Sequence, residues 1–547
     1  MNQLLGRARD ERGFTMIAVM MVMLVAGLFV AGAFAASDGD LPLGKESRDS
    51  KAAYAAAEAG IQYYAYHVAQ DPDYWTKCTT VPAPNPGEPN PVTSEWYGLS
   101  VAPDTRAGHW RNVPGTSSTY AIELLAAKDP TAAQPTPQCT LNDQTSMLDP
   151  GTGTFRIRAT GRSGTESRSI IASFRRPSFL DYLYFTDFET WDPAVYTSPT
   201  DQANAATQCD DYHGSRAGWC QEITFPGNDQ ILGPFHSNDF VHFGNGTDVG
   251  RPGKNDKLES AQNASSYDGS PALTAPWKSG ATNLPVPVSN AELKAVATTA
   301  LTFTGRTKLR LSGSTVSYVK RDGTTGSVSL AGTNGVIYVK NATATACAGS
   351  KSPQIADYAD LPNNSALSGC GNAYISGTYD TSFTLTTDND IILDATGTDA
   401  TDSDLKRDPS SDAVAGLVAS NFVRVGHHVT RTAQQQSNNP ETNCTNVSPT
   451  VGDVTIEAAV LAVTHSFLVD NFGCGVPLGT VHIKGALAQK FRGRLAGTGT
   501  ADGGVSAGYL KDYQYDDRFR YRSPPYFLSP VVSAWHVVRE NEQVPAR

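Results

Sequence analysis

The sequence predicts an α+β protein that is mostly β, with a long N-terminal helix, a small antiparallel head and a large β-rich module that we expect to be a right-handed parallel β-helix. Three observations predict this organisation. A stretch without charged residues runs from Phe14 to Ala36, an Ala-rich helical pattern follows until Pro72, and short β-branched runs broken by Gly, Asn and Asp fill the chain after residue 178. At 547 residues the chain is long enough for two or three domains.

The composition indicates an ordered, turn-rich protein. The chain contains 49 Gly and 33 Pro, and 18% of its residues are charged, while abundant Thr and Val favour strands over helices. Its net charge of −11 argues against nucleic acid as a partner, because phosphate binding requires clustered Lys and Arg. The sequence contains no HExxH motif, Walker loop, GxSxG motif or dinucleotide fingerprint, so we expect no cofactor, no metal site and no enzymatic activity.

The charge-free stretch is long enough to cross about 30 Å of hydrocarbon as a helix. Because Arg7, Arg9 and Arg12 precede it, the positive-inside rule predicts a single-pass membrane protein with a short cytoplasmic N-terminus and a large extracytoplasmic part. The alternative is a cleaved secretory signal peptide, since Ala33-Phe34-Ala35 matches an A-x-A cleavage site. Both interpretations place the rest of the chain outside the cytoplasm.

Two motifs near the N-terminus point to a family. "RGFTMI" places a Gly between the charged leader and the first apolar residue, and "AAEAGI" contains Glu58, Ala59 and Gly60 within the Ala-rich helix. The first motif resembles the leader of type IV pilins and pseudopilins, and the second resembles the helix signature of PilX-type minor pilins. The resemblance covers residues 7–70 and implies that the partners are a membrane, other pilin-like subunits and the pilus assembly machinery.

The same resemblance assigns roles to three residues. It implies that a prepilin peptidase cleaves between Gly13 and Phe14 and methylates the new N-terminus. Pilins of the filament body carry Glu at the fifth mature position, where it neutralises a neighbour's N-terminal amine in an apolar core, but this chain has Ala18 there. Ala18 therefore implies a minor or tip-like subunit rather than the repeating one.

The composition shifts divide the chain into successive parts. The strand-like runs "TYAIELLAAK", "TFRIRATGR" and "SRSIIASFRR" predict a sheet beneath the helix, with a hairpin between the last two runs. The "SDGDLPLG" segment, with its Gly and Pro, predicts a hinge in the helix. The expected parts are a leader at 1–13, a transmembrane segment at 14–36, an amphipathic pilin helix with a hinge at 37–70, a pilin-like β head at 71–177, a solenoid-like module with a C-terminal cap at 178–535, and a tail at 536–547.

The large module is predicted from many short strands without a strict period. Runs such as "NGVIYV", "DNDIIL" and "ASNFVRV" carry small or turn-forming residues at their ends, which favours a β-solenoid, with a sandwich as the alternative. The stretches "FLDYLYFTDFETWDP", "GPFHSND" and "YDDRFRYRSPPYFLSP" also resemble a bacterial domain family of unknown function found behind pilin-like N-termini. That resemblance covers about residues 178–535 and implies an architecture, not a reaction.

The cysteines predict disulfides. All eight lie after the apolar stretch, and none forms a CxxC pair, which fits bridges in an oxidising compartment better than a metal site. Pairing neighbours is one of many connectivities, and loop-closure entropy favours it. The expected bridges are Cys78–Cys139, Cys209–Cys220, Cys347–Cys370 and Cys444–Cys474.

The strongest catalytic candidate is "GPFHSND". It contains His236, Asn238 and Asp239, with Asp229 shortly before it. A His near carboxylates is able to act as a general base or a ligand. We favour the interpretation that Gly-Pro and Ser-Asn-Asp form an ordinary turn whose side chains bond the local backbone.

Two further pairs of polar residues, one acidic and one of histidines, are candidates for chemistry. Asp388 and Asp390 lie on one face if their run is extended, an arrangement similar to that of polysaccharide-cleaving β-helix enzymes; the alternative is that they flank a turn. His427 and His428 are adjacent, so on a strand they point to opposite faces, one to the core and one to the surface. A membrane-tethered β-helix carbohydrate-active enzyme is therefore the alternative to a structural function.

The C-terminal aromatic segment has two interpretations. The favoured one is a cap on the open end of the solenoid, and the other is a surface that binds a sugar or a partner pilin. On these grounds we expect a non-enzymatic component of a type IV pilus-like system that presents its β module for assembly, adhesion or contact with a surface glycan or protein. The aromatic residues are Tyr509, Tyr513, Tyr515, Phe519 and Tyr521.

Overall fold

The fold is known from a computed structural model. It describes residues 14–70, 74–77, 96–97, 110–125, 147–149, 154–263, 265–345, 347, 352–353, 369–393, 404–437, 443–446, 452–497, 505–520, 522–530 and 535–546. Within the first helix it describes the side chains of residues 20–26, 28 and 44–70.

The N-terminal helix α1 (Phe14–Gln70) is continuous. Its second half is rich in Ala, the best helix former, and the helix ends just before Pro72, which cannot continue it. The hinge predicted at "SDGDLPLG" does not interrupt it, because α1 spans this segment.

The prediction of a membrane-spanning helix is wrong, and with it the prediction of a single-pass membrane protein. Across the described residues, no helix is both long and apolar enough to cross a membrane. From Lys45 to Lys51 the helix carries charged side chains.

A mainly antiparallel sheet, here called the head sheet, packs against the second half of α1. β2, β3, β4 and β5 pair antiparallel in this order, and β1 pairs with β3 in parallel. A tight turn between β4 and β5 makes the expected hairpin. The bounds are β1 (Trp96–Tyr97), β2 (Arg111–Asn112), β3 (Thr119–Leu125), β4 (Thr154–Ser163) and β5 (Glu166–Arg175).

The chain then enters a solenoid of short strands. Its first part contains β6 (Tyr184–Trp191), β7 (Thr224–Phe225), β8 (Gln230–Leu232), β9 (Phe235–Ser237), β10 (Val241–Phe243), β11 (Asp248–Val249), β12 (Leu258–Ser260), β13 (Tyr267–Asp268), β14 (Ala272–Leu273) and β15 (Trp277–Lys278). The helix α2 (Pro199–Gln208) lies between β6 and β7.

The second part of the solenoid follows helix α3 (Ala291–Val296) and includes helix α4 (Ala433–Ser437). Its strands are β16 (Thr302–Thr304), β17 (Thr307–Gly313), β18 (Thr315–Val319), β19 (Thr325–Ser329), β20 (Val336–Lys340), β21 (Ala373–Tyr379), β22 (Phe383–Thr387), β23 (Ile391–Leu393), β24 (Leu405–Arg407), β25 (Ala415–Ala419), β26 (Val423–Val425), β27 (Val429–Thr430), β28 (Thr445–Asn446), β29 (Val454–Ile456), β30 (Ala459–Ala462), β31 (Phe467–Val469), β32 (Pro477–Arg492) and β33 (Gly508–Tyr515). Single-turn 3-10 helices span Tyr74–Lys77, Phe179–Asp181, Pro193–Val195, Thr299–Leu301 and Asp517–Arg520.

Most of these strands stack in parallel on three faces. Face 1 has the spatial order β15-β12-β9-β6-β32-β30-β25-β22-β20-β16. Face 2 has the order β14-β11-β8-β33-β32-β29-β24-β21-β17. Face 3 consists of β13-β10-β7 and, separately, β31-β26-β23-β21. This pairing is that of a β-solenoid, in which each coil buries its inner side chains against the next; its right-handed turn stays a prediction.

The chain does not run through the solenoid from one end to the other. It enters at β6 in the middle, builds coils outward as far as β15, and then crosses the outside of face 1. In this crossing segment, residues 281–301, Leu284 and Leu293 pack against outward-facing side chains of several coils. The chain restarts at β16 at the far end and coils back until β33 lies beside β8.

The C-terminal aromatic segment therefore lies in the middle of the solenoid and does not cap an end. β33 pairs with β32 on one side and β8 on the other. Tyr509 and Tyr513 are buried in the solenoid core, and Tyr515 and Phe519 belong to the same core. Tyr521 is outside the described residues. The rings are buried because the two parts of the solenoid meet here, which no local pattern in the sequence indicates.

The residues expected to form a tail after 535 form the edge strand of the head sheet. Strand β34 (His536–Gln543) pairs antiparallel with β5 along most of its length. The head sheet thus combines strands from both ends of the chain, and the solenoid is inserted between them.

Candidate functional site

The candidate functional site is helix α1 with the sheet that it covers, because "AAEAGI" lies on this helix and Phe14 of "RGFTMI" begins it. In its second half Ala57, Ile61, Tyr64 and Val68 are buried. Their spacing of three and four residues places them on one side of the helix, and this side packs against apolar residues of β3, β4 and β5. Helix and sheet therefore bury one shared core.

Two glycines allow the helix to lie close to the sheet. Gly161 on β4 faces the backbone of α1, and a Cβ atom at this position would lie 2.0 Å from Ala53 O and 2.4 Å from Ala57 N. Gly60, the glycine of "AAEAGI", faces the ring of Tyr120, and a Cβ there would lie 2.8 Å from that ring. A larger residue at either position would force helix and sheet apart.

An aromatic cluster holds the end of α1 in place. The ring of Tyr64 lies 5.6 Å from that of Phe174 and 5.9 Å from that of Phe155, both in edge-to-face geometry. Trp535, just before β34, packs edge-on against Phe155 at 4.6 Å. Such pairs add stabilisation beyond the apolar area that they bury.

Polar contacts connect α1, the sheet and β34. Arg168 on β5 donates to Ser50 Oγ of the helix at 2.7 Å and to Glu542 Oε1 of β34 at 2.9 Å. Arg158 on β4 forms a buried ion pair with Glu123 and donates to Gln543 Oε1 at 2.6 Å. Strand β34 therefore helps to hold helix α1 against the head sheet.

The first half of α1 presents an exposed apolar segment, defined here as residues 20–28. Its described large side chains are between 49% and 69% exposed, and they point in all directions around the helix. Contiguous apolar surface of this kind marks a place where another molecule binds. The exposed side chains are Met20, Met21, Val22, Met23, Leu24, Val25 and Leu28.

The residues of the two motifs lie near the start of α1 and in its second half. Gly13 is outside the described residues, while Phe14 begins α1 and Ala18 lies in its first turns; their side chains are not among those described. Glu58 is exposed, and Ala59 is half-buried beside the helix–sheet core.

The comparisons with known proteins give a distant structural likeness. No known family profile matches the chain, and no curated protein matches it. Among solved structures, the chain is similar to the crystal structure of the competence-associated pilin ComZ from Thermus thermophilus, at 13% sequence identity and a TM-score of 0.27, over 90% of this chain and 97% of that one. This likeness is too distant to assign a family. The resemblance to PilX-type minor pilins and to the β-rich family stays a prediction.

The "GPFHSND" motif forms a buried hydrogen-bond network on face 1. His236 Nδ1 lies 3.0 Å from Glu259 Oε1, and its Nε2 lies 3.0 Å from Asn238 Oδ1. Asn238 Oδ1 accepts from Leu284 N, and its Nδ2 donates to Leu284 O, each at 2.9 Å. The motif therefore fastens the crossing segment to the solenoid.

Hydrogen bonds in this network stabilise the negative charge of Glu259. Burial alone would raise the pKa of Glu259, but hydrogen bonds from His236, Lys257 and Tyr182 outweigh it and lower the pKa to about 2. Glu259 is thus a carboxylate that accepts from all three neighbours. Asp229, expected nearby, instead pairs with Lys511 of β33 at 2.5 Å.

The paired acids of the enzyme interpretation are engaged in separate ion pairs. Asp388 and Asp390 follow the end of β22, so they lie in a turn and not on one face of a strand. Asp388 contacts Lys294 Nζ at 2.7 Å and accepts from Tyr338 Oη at 2.8 Å. Burial would raise the pKa of Asp388, but the hydrogen bond from Lys294 and further contacts lower it. Asp390 contacts Arg424 Nε at 3.1 Å.

The adjacent histidines lie between β26 and β27, outside any strand. His427 is buried, and burial lowers its pKa, although contacts of its ring with Asn446 Oδ1 and the carbonyl oxygen of Asn471 act in the opposite direction. His428 is half-buried.

Three of the expected disulfides are present, and they join Cys209–Cys220, Cys347–Cys370 and Cys444–Cys474. Cys78 and Cys139 are outside the described residues.

The sequence reasoning missed the contribution of β34 to this site. The strand is rich in Glu, Gln and Asn, which are depleted in strands, so its composition indicates a tail. A hint is the apolar start of this segment, with Trp535, Val537 and Val538 before the polar residues.

Proposed function

We propose that the protein is a non-enzymatic structural subunit of a type IV pilus-like assembly. In this proposal it is a minor or tip-like subunit that presents the solenoid for assembly, adhesion or surface contact. The observation that carries the proposal is the exposed apolar segment of α1. The second half of the same helix packs against the head sheet, whereas this segment has no such cover among the described residues. Apolar side chains on all sides of a helix are stable only when other helices or apolar surfaces surround them.

The helix of a second pilin-like subunit is the partner that fits this segment best. A helix offers apolar side chains over the same length and packs by ridges into grooves at about 8–10 Å. The described side chains of residues 20–26 and 28 carry no charge that an apolar partner would have to neutralise. Ala18, where body pilins carry Glu, supports a position at a tip or in a priming complex rather than in the repeating body.

The ion pairs of the acidic side chains support the non-enzymatic part of the proposal. A pair of carboxylates that cleaves glycosidic bonds needs one acid with a raised pKa. Asp388 has a lowered pKa beside Lys294, and Asp390 pairs with Arg424. Activity on a broad panel of glycans that disappears in D388N or D390N would overturn this part.

Site-specific photo-crosslinking in the native cells tests the assembly role. A photoreactive amino acid at Leu24, in the exposed apolar segment, is expected to give adducts whose partner peptide is the N-terminal helix of a pilin-like subunit. The matched control is Gln62, which is equally on α1 and exposed but lies on the half that covers the sheet. Absence of adducts at Leu24, or the same adducts at both positions, would contradict the proposal.

Mass spectrometry of the mature N-terminus tests the processing prediction independently. A methylated Phe14 is expected. An N-terminus at Ala36 would instead show an ordinary signal peptide and would leave the apolar segment without a role.

A further inference from the structure

Two histidines and a carboxylate converge on face 3, away from the helix site. His213 lies in the loop closed by the Cys209–Cys220 disulfide, and Glu222 follows this loop directly. His242 is the central residue of β10. The loop and the strand are brought together because β7, immediately after Glu222, pairs in parallel with β10.

The three side chains already point at one another. Glu222 Oε1 lies 2.8 Å from His213 Nδ1, and Glu222 Oε2 lies 2.7 Å from His242 Nε2. One ligand atom from each residue falls within 4.8 Å of the other two. A tetrahedral ion with bonds of about 2.0–2.1 Å places its ligands about 3.3 Å apart, so only small side-chain movements are required.

Neighbouring side chains orient the two imidazole rings. His242 Nδ1 lies 3.0 Å from both carboxylate oxygens of Asp268, which sits opposite His242 on the adjacent strand β13. With a metal ion bound, this contact would keep the proton on Nδ1 and leave the lone pair of Nε2 for the ion, as in carboxylate–histidine–metal sites. The ring of His213 stacks on Phe240 at 4.5 Å.

The charge around the cluster favours a cation. Arg216 approaches Glu222 Oε1 at 3.0 Å, but its charge is balanced by the buried carboxylate of Asp239. Arg216 is thus the one arginine beside three carboxylates, those of Glu222, Asp239 and Asp268, among the contacts described here.

We propose that His213, Glu222 and His242 bind one divalent transition-metal ion of the Zn²⁺ class through His213 Nδ1, a Glu222 oxygen and His242 Nε2, with a water as the fourth ligand. Two imidazoles and one carboxylate are ligands that Zn²⁺ prefers, and three protein ligands leave one coordination position for solvent. The ion would clamp the disulfide loop onto the coils of face 3.

Metal titration of the untagged full-length protein tests the proposal. After treatment with EDTA and dialysis, Zn²⁺ is titrated in competition with a chromogenic chelator, and Co²⁺ is added separately to record its visible spectrum. We expect one Zn²⁺ per chain and the intense absorption of tetrahedral Co²⁺. Affinity in H213A, H242A and E222Q should fall at least tenfold, because each variant removes one of the three ligands.

His482 provides the matched control. It is a partly exposed histidine whose Nδ1 lies 2.8 Å from Asp512, and the described side chains supply it with no third ligand. H482A should bind Zn²⁺ as the unmodified protein does. Zn²⁺ should raise the melting temperatures of H482A and the unmodified protein, but not that of H213A. Absence of binding in the unmodified protein, or equal loss in H213A and H482A, would overturn the proposal. If H242A, within strand β10, fails to fold, H213A still tests the proposal, because His213 lies on an exposed loop.

Discussion

Glu259 accepts a hydrogen bond from His236 at 3.0 Å across two neighbouring coils of face 1. The pair lies beneath the crossing segment and is shielded from solvent, since both residues are at most 2% exposed. Tyr182 contributes a second hydrogen bond to the same oxygen at 2.7 Å. The polar motif that seemed the best catalytic candidate therefore binds two parts of the chain together.

The stability of the solenoid should fall in acid because of Glu259. Its pKa is about 2 in the folded protein, below the ordinary value of 4.5. A group with a lowered folded pKa stabilises the protein above its unfolded pKa, and this contribution is lost as the pH falls from about 4.5 to about 2. Urea unfolding at several pH values should show the decline, and it should be weaker in E259Q.

Replacing Glu259 should also destabilise the protein at neutral pH. E259Q removes one charge of a buried network and leaves the His236 ring without its anionic partner, a change that typically costs about 3–5 kcal/mol. The matched control is E542Q, which breaks the half-exposed pair with Arg168 and should cost about 0–1 kcal/mol. Equal urea midpoints for the two variants would contradict the assignment.

Local patterns predicted the parts of this fold that depend on neighbouring residues. The Ala-rich pattern and the strand-like runs after it predicted a helix with a sheet beneath it, and the structure shows this packing. The short β-branched runs indicated strands, which pair in parallel in the solenoid. The apolar stretch after Phe14 also followed a local pattern, but the prediction of a membrane span from it was wrong.

Contacts between distant parts of the chain were not predictable in the same way. Tyr513 is buried because β33 returns to lie beside β8, far earlier in the sequence. The His213, Glu222 and His242 cluster has no motif spacing, since a loop and a strand supply it. Sequence periodicity reports which side of an element is apolar, but not which element it meets.

The close approach of α1 to β4 makes Gly161 sensitive to substitution. In G161A the added Cβ would meet Ala53 O and Ala57 N at 2.0 and 2.4 Å, so the helix must move away from the sheet. Overpacking of this kind costs about 1–3 kcal/mol. We expect faster hydrogen exchange in the second half of α1, measured by mass spectrometry. G218A is the control, since nothing lies within 4 Å of its new atom, and it should exchange as the unmodified protein does.

Deleting residues 536–547 should loosen the head without unfolding the solenoid. β5 would lose its hydrogen-bonded neighbour along β34, and Arg158 would lose its bond to Gln543. An uncovered edge strand also pairs readily with other chains. We expect faster amide exchange in β5 and increased self-association in light scattering, with unchanged exchange in the solenoid. Deleting only residues 544–547, which follow the strand, should change neither quantity.

Asn238 should govern how firmly the crossing segment is attached. Its amide donates to Leu284 O and to Asp187 Oδ1, each at 2.9 Å. N238D replaces the donating amide group by an oxygen, which accepts and cannot donate. The carbonyl of Leu284 and the carboxylate of Asp187 therefore lose their donor, at a cost of about 1–3 kcal/mol for each unsatisfied group. Residues 281–301 should then exchange their amide hydrogens faster than the coils beneath them, because Leu284 is held to Asn238 by two bonds.

N283D is the matched control for this change, because Asn283 lies beside Leu284 in the same segment but donates only to the exposed hydroxyl of Tyr212. Solvent is able to replace that bond, so the variant should keep the exchange rates of the unmodified protein. If N238D and N283D exchange alike across residues 281–301, then apolar packing of Leu284 and Leu293, and not the polar network, holds the crossing segment. The comparison therefore separates the two contributions that join the first and second parts of the solenoid.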